Sequence, residues 1–576
     1  MVDINVAMQE VNQAEGVSFR AVEPESPFIV MYSGEYHGHG TLKLGFEASF
    51  PYSLPSIFVS PVPTMRLHIG DKGKICLTDE SSLLLDTKKP AQLITECLKL
   101  AERVLNLSPD DPQYQAELKR EFMSYWGLQG NGSSIWSILS IADCQSIHKI
   151  PLFPVGKSYI LAPSLSDANS FICDYLGLSP IETYKGNLQY AWVIRLKEGA
   201  SLLSPFENLD WSSIIRYVKN NSNQETRQKF WDLTSTPVTK AVVRLIFVVP
   251  AIDAIDGDIV FGVSVLIKNR HRLPIKASLS KAVSQVNVMR YDYDFLLSRC
   301  GSTPSLKDKR VLLLGCGSVG GFLTNNLCQM GVTQLDLLDK DTFSVHNVYR
   351  HFMGFETIKQ GRNSYKADSL RNWLTDKYPY LDIDSLNYVD RTVEKVILKN
   401  HDRLRQYDLI ISALGEPTLN LAINDLLIQQ QIQVPFIVCF NEPYGVGGHV
   451  IVTNISDESC LHCFYSDPIY GGLCSFRGSL VDTNQNFKKT LSGCSGMFVP
   501  YSTLDSQQTA IYTARKAVDV LTGKLTHNDF FTWRGDASLL ISQGFRVSEY
   551  FFADSVPEHF SNPNCPICQG RNGSLL

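Results

Sequence analysis

Apolar and polar positions near the start of the chain alternate with a period of two, the signature of half-buried strands, over Phe28–Tyr32, Thr41–Phe46 and Ser56–Val59. Pro51, Pro55, Pro61 and Pro63 punctuate these runs. From Pro90 to Leu105 the spacing of Leu93, Ile94, Leu98, Leu100 and Val104 changes to that of an amphipathic helix. The pattern predicts strands first and then a packing helix, an α+β block. Ser108-Pro109-Asp110-Asp111-Pro112 reads as a turn, and a further helix over Gln113–Tyr125 leads out of the block.

Strand-like runs return at Tyr190–Leu196, Ala241–Val249 and Val260–Ile267, with a loop expected at Asn220-Asn221-Ser222-Asn223 and no motif between them. After Val286 the character changes again. Arg310–Gly315, Gln334–Asp339, Asp408–Ser412 and Pro435–Phe440 are short, continuously apolar runs separated by helical patterns. Strands without alternation are buried on both faces, so this part predicts a doubly wound α/β domain with a parallel sheet. A helix is expected near Ala510–Leu521.

A chain of 576 residues exceeds one hydrophobic core and predicts about three or four domains. Hydrophobic residues at 44% and charged residues at 19% are ordinary for a globular protein. The formal net charge of -5, with both signs dispersed, argues against a nucleic-acid partner. No apolar stretch is long enough to span a bilayer and the first ten residues are polar, so a cytoplasmic location without membrane contact is expected. The 14 cysteines then read as thiols, some metal-bound and some catalytic, rather than as a disulfide framework.

Gly315-Cys316-Gly317-Ser318-Val319-Gly320 follows a strand and opens a helix, where glycines let backbone N–H groups approach a phosphate. Asp339 ends the next strand, at the spacing where an acid accepts from a ribose hydroxyl. Alone, that pair fits NAD, FAD and SAM enzymes as well. The run Asp339-Lys-Asp341-Thr-Phe343-Ser-Val-His-Asn347-Val-Tyr-Arg350, followed by Lys366, resembles the ThiF/MoeB and ubiquitin-activating superfamily, with Phe343 in place of its valine. That resemblance implies adenylation of a carboxylate with ATP and Mg²⁺. Gly315, Gly317, Gly320, Asp339, Asp341 and Asn347 would bind the nucleotide, and Arg350 and Lys366 would neutralise charge developing on the phosphates. Two positions depart from the superfamily pattern. Gly415 stands where an acid usually helps hold Mg²⁺, with Glu416 beside it, and Tyr293 stands where a partner subunit's arginine is usual, with Arg290 or Arg299 as substitutes.

Cys460-Leu-His462-Cys463 and Cys565-Pro-Ile-Cys568 are two C-x-x-C pairs of the kind that make a tetrahedral Zn²⁺ site, at the places where the superfamily carries structural zinc. His462 is expected outside the ligand set. Cys494, in Leu491-Ser-Gly-Cys494-Ser-Gly-Met497, resembles the crossover-loop acceptor thiol of activating enzymes, with Cys474 as the other candidate.

In the first block, Gly73-Lys-Ile75-Cys76-Leu77 resembles the segment around the acceptor cysteine of ubiquitin-conjugating domains. The usual His-Pro-Asn triplet is Arg66-Leu67-His68 here, so His68 falls on the asparagine that donates to the tetrahedral oxyanion. A conjugating-type block ahead of an activating-type block resembles the fusion enzymes of CBASS, the bacterial cyclic-oligonucleotide antiphage system. The expected division is a ubiquitin-conjugating-like domain over 1–126, an α/β linker domain over 127–285 and a ThiF/MoeB-type adenylation domain with its zinc-bound tail over 286–576. The resemblance implies a relay: adenylation of the C-terminus of a cGAS/DncV-like nucleotidyltransferase, thioesters on Cys494 and then Cys76, transfer to a target amine, and a homodimer. A ThiF/MoeB-like sulfur-carrier activator and a non-enzymatic nucleotide-binding adaptor are the alternatives.

Overall fold

A computed structural model describes residues 3–568 apart from 64–66, 71, 79–82, 109, 129–133, 142–143, 182–188, 236–241, 251–256, 267–281, 299–300, 302–305, 360–364, 387–391, 394–396, 457–458, 466–474, 483, 491–496, 554–560, 563–564 and 566. The chain divides into two compact units, residues 1–163 with 183–290 and residues 164–182 with 291–576.

The first unit opens with a helix, Ile4–Glu15, that the alternation downstream does not announce. Asp3 caps it by accepting from the Asn5 N–H, and Gly16, at φ 66°, ends it. Ile4, Ala7, Met8 and Val11 form its buried face at helical spacing. Strands β1–β5 follow as an antiparallel sheet in chain order (Arg20–Val22, Val30–Glu35, Thr41–Phe46, Ser56–Ser60 and Lys74–Ile75). The helix Pro90–Asn106 buries Ile94, Cys97, Leu98, Ala101 and Val104 in the same core as the sheet.

The middle of the chain closes a seven-stranded barrel, ordered β10-β11-β12-β6-β8-β7-β9. Its strands are β6 (Ser134–Ser137), β7 (Ile147–Val155), β8 (Ser158–Leu161), β9 (Gln189–Arg195), β10 (Val242–Val249), β11 (Ile259–Leu266) and β12 (Ala282–Arg290). Ile246, Val248, Val260, Val286 and Val288 fill it. The alternate positions Leu245, Phe247, Val249, Phe261 and Val263 face outward, against Phe122, Trp126, Trp211, Ile214 and Phe230 from helices. The expected loop at 220–223 is a short joint between the helices Trp211–Asn221 and Gln224–Ser235. Asn221 is buried there, its Oδ1 accepting from the Ser201 N–H at 2.8 Å, so its polarity reflects an internal bond rather than exposure. Strand β12 runs to Arg290, so the boundary expected at 285/286 falls inside a barrel strand.

The second unit is built on a seven-stranded sheet, ordered β15-β14-β13-β16-β17-β18-β21. Its strands are β13 (Arg310–Leu314), β14 (Gln334–Leu338), β15 (Asp382–Ser385), β16 (Leu409–Ser412), β17 (Phe436–Asn441), β18 (Gly447–Thr453) and β21 (Asp529–Arg534). The first five pair in parallel, and β18 and β21 add antiparallel. Val311 and Leu313 enter one core while Leu312 and Leu314 enter the other, which is why β13 reads as an unbroken apolar run. Two short strands, β19 (Lys489–Thr490) and β20 (Met497–Phe498), form a separate antiparallel pair.

Candidate functional site

In the second unit, β14 lies on one side of β13 and β16 on the other, so the strand order reverses at β13. Ligands of such sheets sit outside the carboxyl ends of the strands at that point. A cavity of about 740 Å³ occupies it, lined by Gly315, Gly317, Asp339, Asp341, Asn347, Arg350 and Lys366 among others. Gly315 has φ 93°, and a Cβ there would lie 2.9 Å from the Ala413 carbonyl carbon. A Cβ on Gly320 would lie 1.9 Å from the Gly315 carbonyl oxygen, so Gly320 serves the close packing of turn and helix and does not itself line the cavity. Gly317 heads the helix Ser318–Gln329 and has only open space where a side chain would be.

Asp339 closes this turn. Its carboxylate accepts from the Cys316 N–H at 2.7 Å and the Asp341 N–H at 2.8 Å. Burial pushes its pKa up against the opposing effect of the Lys366 charge and of these two bonds. Lys366 donates from its backbone to the Asp341 carbonyl and from Nζ to Asp341 Oδ2, both at 2.8 Å. Asn347 accepts from the Ser344 N–H at 2.9 Å and so holds the short turn that presents Arg350. The Arg350 guanidinium lies 4.9 Å from the Tyr501 ring centroid and 5.8 Å from that of Phe498. Glu416 lines the cavity, with Lys340 Nζ 3.7 Å from its carboxylate.

Arg290 ends a barrel strand and donates to the Asp258 carbonyl at 2.9 Å, and Arg299 lies outside the described residues. Tyr293 begins the helix Tyr293–Ser298 and donates to the Gly331 carbonyl at 2.5 Å.

In the first unit, Cys76 follows β5 and is exposed. It lines a cavity of about 420 Å³ together with His68, Leu77, Tyr125 and Phe206. The Cys76 N–H donates to the His68 carbonyl at 2.7 Å, so the two residues face each other across a tight hairpin. His68 adopts φ 61°, and its N–H donates to the Tyr125 hydroxyl at 2.8 Å. Its ring does not stand free to meet an oxyanion, as the sequence had suggested. Nε2 lies 3.0 Å from Glu117 Oε2 and Nδ1 lies 3.6 Å from Glu121 Oε1.

Residues 293–532 match the sequence model of the ThiF family, and residues 26–133 match that of prokaryotic E2 family B. This chain joins a prokaryotic E2-type domain to a ThiF domain. It is 28% identical over 260 residues to the ATP-dependent ubiquitin transferase-like protein Cap2 of Vibrio cholerae, a match covering 43% of this chain and 42% of that protein. With the protein of the same name from Pseudomonas aeruginosa it is 24% identical over 497 residues, covering 82% of this chain and 84% of the relative. It also aligns with a solved structure of E. coli MccB at a TM-score of 0.32 and 14% identity, over 48% of this chain and 72% of that one.

The ThiF unit also carries the four cysteines of the two C-x-x-C pairs. The sulfurs of Cys460, Cys463, Cys565 and Cys568 lie within 4.8 Å of one another, with Cys460 to Cys565 at 3.7 Å and Cys463 to Cys568 at 3.5 Å. A tetrahedron with metal–sulfur bonds of about 2.3 Å has edges of about 3.8 Å, so this donor set fits zinc. His462 turns away from the cluster, its Nε2 2.8 Å from Asp425 Oδ1. Cys494 and Cys474 lie outside the described residues. Cys316, in the glycine turn itself, is fully buried, and burial pushes its thiol well above the usual range, which removes it as a nucleophile.

Four contributors escaped sequence reasoning. His351 Nε2 lies 3.0 Å from the Cys316 carbonyl, and a Cβ on Gly321 would meet its ring at 2.5 Å, so it braces the glycine turn. Tyr501 supports Arg350 and shares a 3.1 Å hydrogen bond with Ser318. Glu117 and Glu121 reach His68 from a helix 49 and 53 positions later in the chain, a separation no local pattern reveals.

Proposed function

We propose that this chain is an ATP-dependent activating and conjugating enzyme. Its ThiF domain adenylates the C-terminal carboxylate of a partner protein. The acyl group passes to Cys494 and then to Cys76 as thioesters, and the E2-type domain conjugates it to a target amine. The partner, taken from the family resemblance, is a cGAS/DncV-like nucleotidyltransferase primed for antiphage signalling, and the enzyme works as a homodimer.

One observation carries this reading. The cavity that gathers the glycine turn, Arg350 and Lys366 is also lined by Lys488, Phe498 and Val499, which flank the stretch containing Cys494. Thr490 pairs with Met497, so both ends of that stretch are held together beside the cavity. Cys494 is three residues from Met497 in the sequence, and three residues span at most about 11 Å. A thiol tethered there can meet an acyl adenylate formed in the cavity.

In the reaction, the partner carboxylate attacks the α-phosphorus of ATP and pyrophosphate departs. Arg350 and Lys366 offset the charge that gathers on the phosphate oxygens, Gly315 and Gly317 bring backbone N–H groups close, and Asp339 receives the ribose. Mg²⁺ would supply further phosphate neutralisation, for which Asp341 and Glu416 are the carboxylates at the cavity. Zn²⁺ held by Cys460, Cys463, Cys565 and Cys568 would staple the C-terminal segment to the domain, since four thiolates leave it no open position. A sulfur-carrier activator has no use for an exposed cysteine in an E2-type domain, which weighs against that alternative.

The test is ATP–pyrophosphate exchange with the candidate partner, followed by mass spectrometry of both cysteines. Cys76→Ala is expected to retain exchange and a reducible adduct on Cys494 while losing transfer. Cys494→Ala is expected to retain exchange and lose both adducts. Absence of a partner-linked adduct on either cysteine in the unsubstituted protein would refute the relay.

A further inference from the structure

The helix Pro112–Leu128 has two working faces. Tyr114, Leu118, Phe122 and Trp126, four residues apart, pack into the core shared with the barrel. Glu117, Glu121 and Tyr125, also four apart, turn toward the Cys76 hairpin, where they meet His68. Glu117 is the more firmly held carboxylate. Its Oε1 accepts from Arg103 at 3.1 Å and from Gln113 at 2.9 Å, leaving Oε2 to His68. Burial alone would raise its pKa, but the hydrogen bonds from Gln113 and His68 and the charges of His68 and Arg103 outweigh burial and lower it.

These contacts decide what His68 can do. A carboxylate only accepts, so the 3.0 Å contact requires a proton on Nε2. The neutral tautomer then carries its lone pair on Nδ1, the nitrogen facing Glu121. An oxyanion developing beside this ring would be repelled by both glutamates. An ammonium approaching Nδ1 would instead be drawn in, because Glu117 and Glu121 flank the ring on both nitrogens.

We infer that His68 is the base that takes the proton from the acceptor's primary ammonium during attack on the Cys76 thioester, with Glu117 and Glu121 as its positioning residues. This rests on the proposal that Cys76 carries a thioester. The ammonium gives one proton to Nδ1 and the freed nitrogen attacks the thioester carbonyl carbon. The new C–N bond forms as the C–S bond breaks. Of the two protons the nitrogen sheds, one leaves through His68 to solvent and the other ends on the departing Cys76 sulfur. Among the described residues, the titratable groups and charges around the imidazole are Glu117 with its Arg103 partner, Glu121, Tyr125 and Cys76 itself. Tyr125 is pushed up to about 12 by burial first and by Glu121 and Cys76 next, against the opposing bond from the His68 N–H, so it stays protonated through the neutral range and does not compete as the base.

The experiment charges the full-length protein with a synthetic glycine-terminated peptide thioester by thiol exchange and confirms the adduct on Cys76 by peptide mass spectrometry. Discharge is then followed with free lysine, which must lose a proton, and with hydroxylamine, which is uncharged at neutral pH. At pH 7, Glu117→Gln combined with Glu121→Gln is expected to slow discharge to lysine by roughly 10²-fold. Discharge to hydroxylamine should fall no more than a few-fold, and raising the pH should restore the lysine rate. Equal losses with both amines would mean that the glutamates only shape the site, and an unchanged lysine rate would mean that they do nothing; either overturns the inference while leaving the Cys76 thioester intact. Failure of Cys76 to accept any acyl group would overturn this inference and the conjugating role together.

Discussion

His351 shows how one residue links chemistry to stability. Burial first of all, and the nearby Lys366 charge, lower its pKa from 6.5 to about 4 against the opposing bond to the Cys316 carbonyl. Its folded pKa is therefore below the unfolded one, and between these two values the unfolded chain binds a proton that the folded chain refuses. Stability should fade as the pH falls from about 6.5 to about 4, by about 3 kcal/mol in all. His351→Gln keeps a donor for the Cys316 carbonyl but cannot titrate. Thermal midpoints at pH 7 and pH 5 should lie closer together in that variant than in the unsubstituted protein, and identical spacings would rule the account out. His351 was invisible in the sequence because its role depends on a carbonyl 35 residues earlier. Asp339, Arg350 and Lys366, by contrast, were legible, Asp339 from its spacing to the glycine turn and Arg350 and Lys366 from the resemblance to the ThiF/MoeB superfamily, and all three line the cavity.

Among elements, the helix Pro112–Leu128 joins the barrel core to the Cys76 hairpin. The ring centroids of Phe122 and Trp126 lie 5.0 Å and 4.6 Å from that of Phe261, and Trp126 Nε1 donates to the Gly262 carbonyl at 3.1 Å. Trp126→Ala should cost about 3–5 kcal/mol of local stability, read as faster amide exchange through this helix and the strands beneath it. Because Glu117 and Glu121 ride on the same helix, that variant should also slow discharge of Cys76 while leaving ATP–pyrophosphate exchange unchanged. Periodicity found this helix and the one over Pro90–Asn106 to within a few residues, as it did β13, β14, β16 and β17. It missed Ile4–Glu15, whose buried stripe has only four residues in a polar stretch, and the paired helices around Asn221, whose joint looked like a loop. A polar run says that a turn is present, not whether water or protein satisfies it.

At the scale of the whole molecule, each unit holds one half of the proposed reaction: an exposed cysteine beside His68 in the first, a phosphate-ready cavity in the second. No helix among the described residues is long and apolar enough to cross a membrane. The four-cysteine cluster ties residues more than a hundred positions apart, so the purified protein should carry about one zinc per chain by elemental analysis. Cys565→Ser or a strong chelator should lower the thermal midpoint and release the C-terminal segment to protease, and a zinc-free protein of undiminished midpoint would count against a structural metal. The amino-acid sequence alone determined the buried parallel strands, the glycine turn and the two C-x-x-C motifs, because each is a short-range pattern dictated by backbone geometry or ligand count. Only the tertiary structure decided that strands without a motif close into a barrel, that a helix packed on it carries two carboxylates to His68, and that the flanks of the Cys494 stretch border the nucleotide cavity. Those outcomes depend on which distant surfaces bury each other, and burial is a property of the folded chain as a whole.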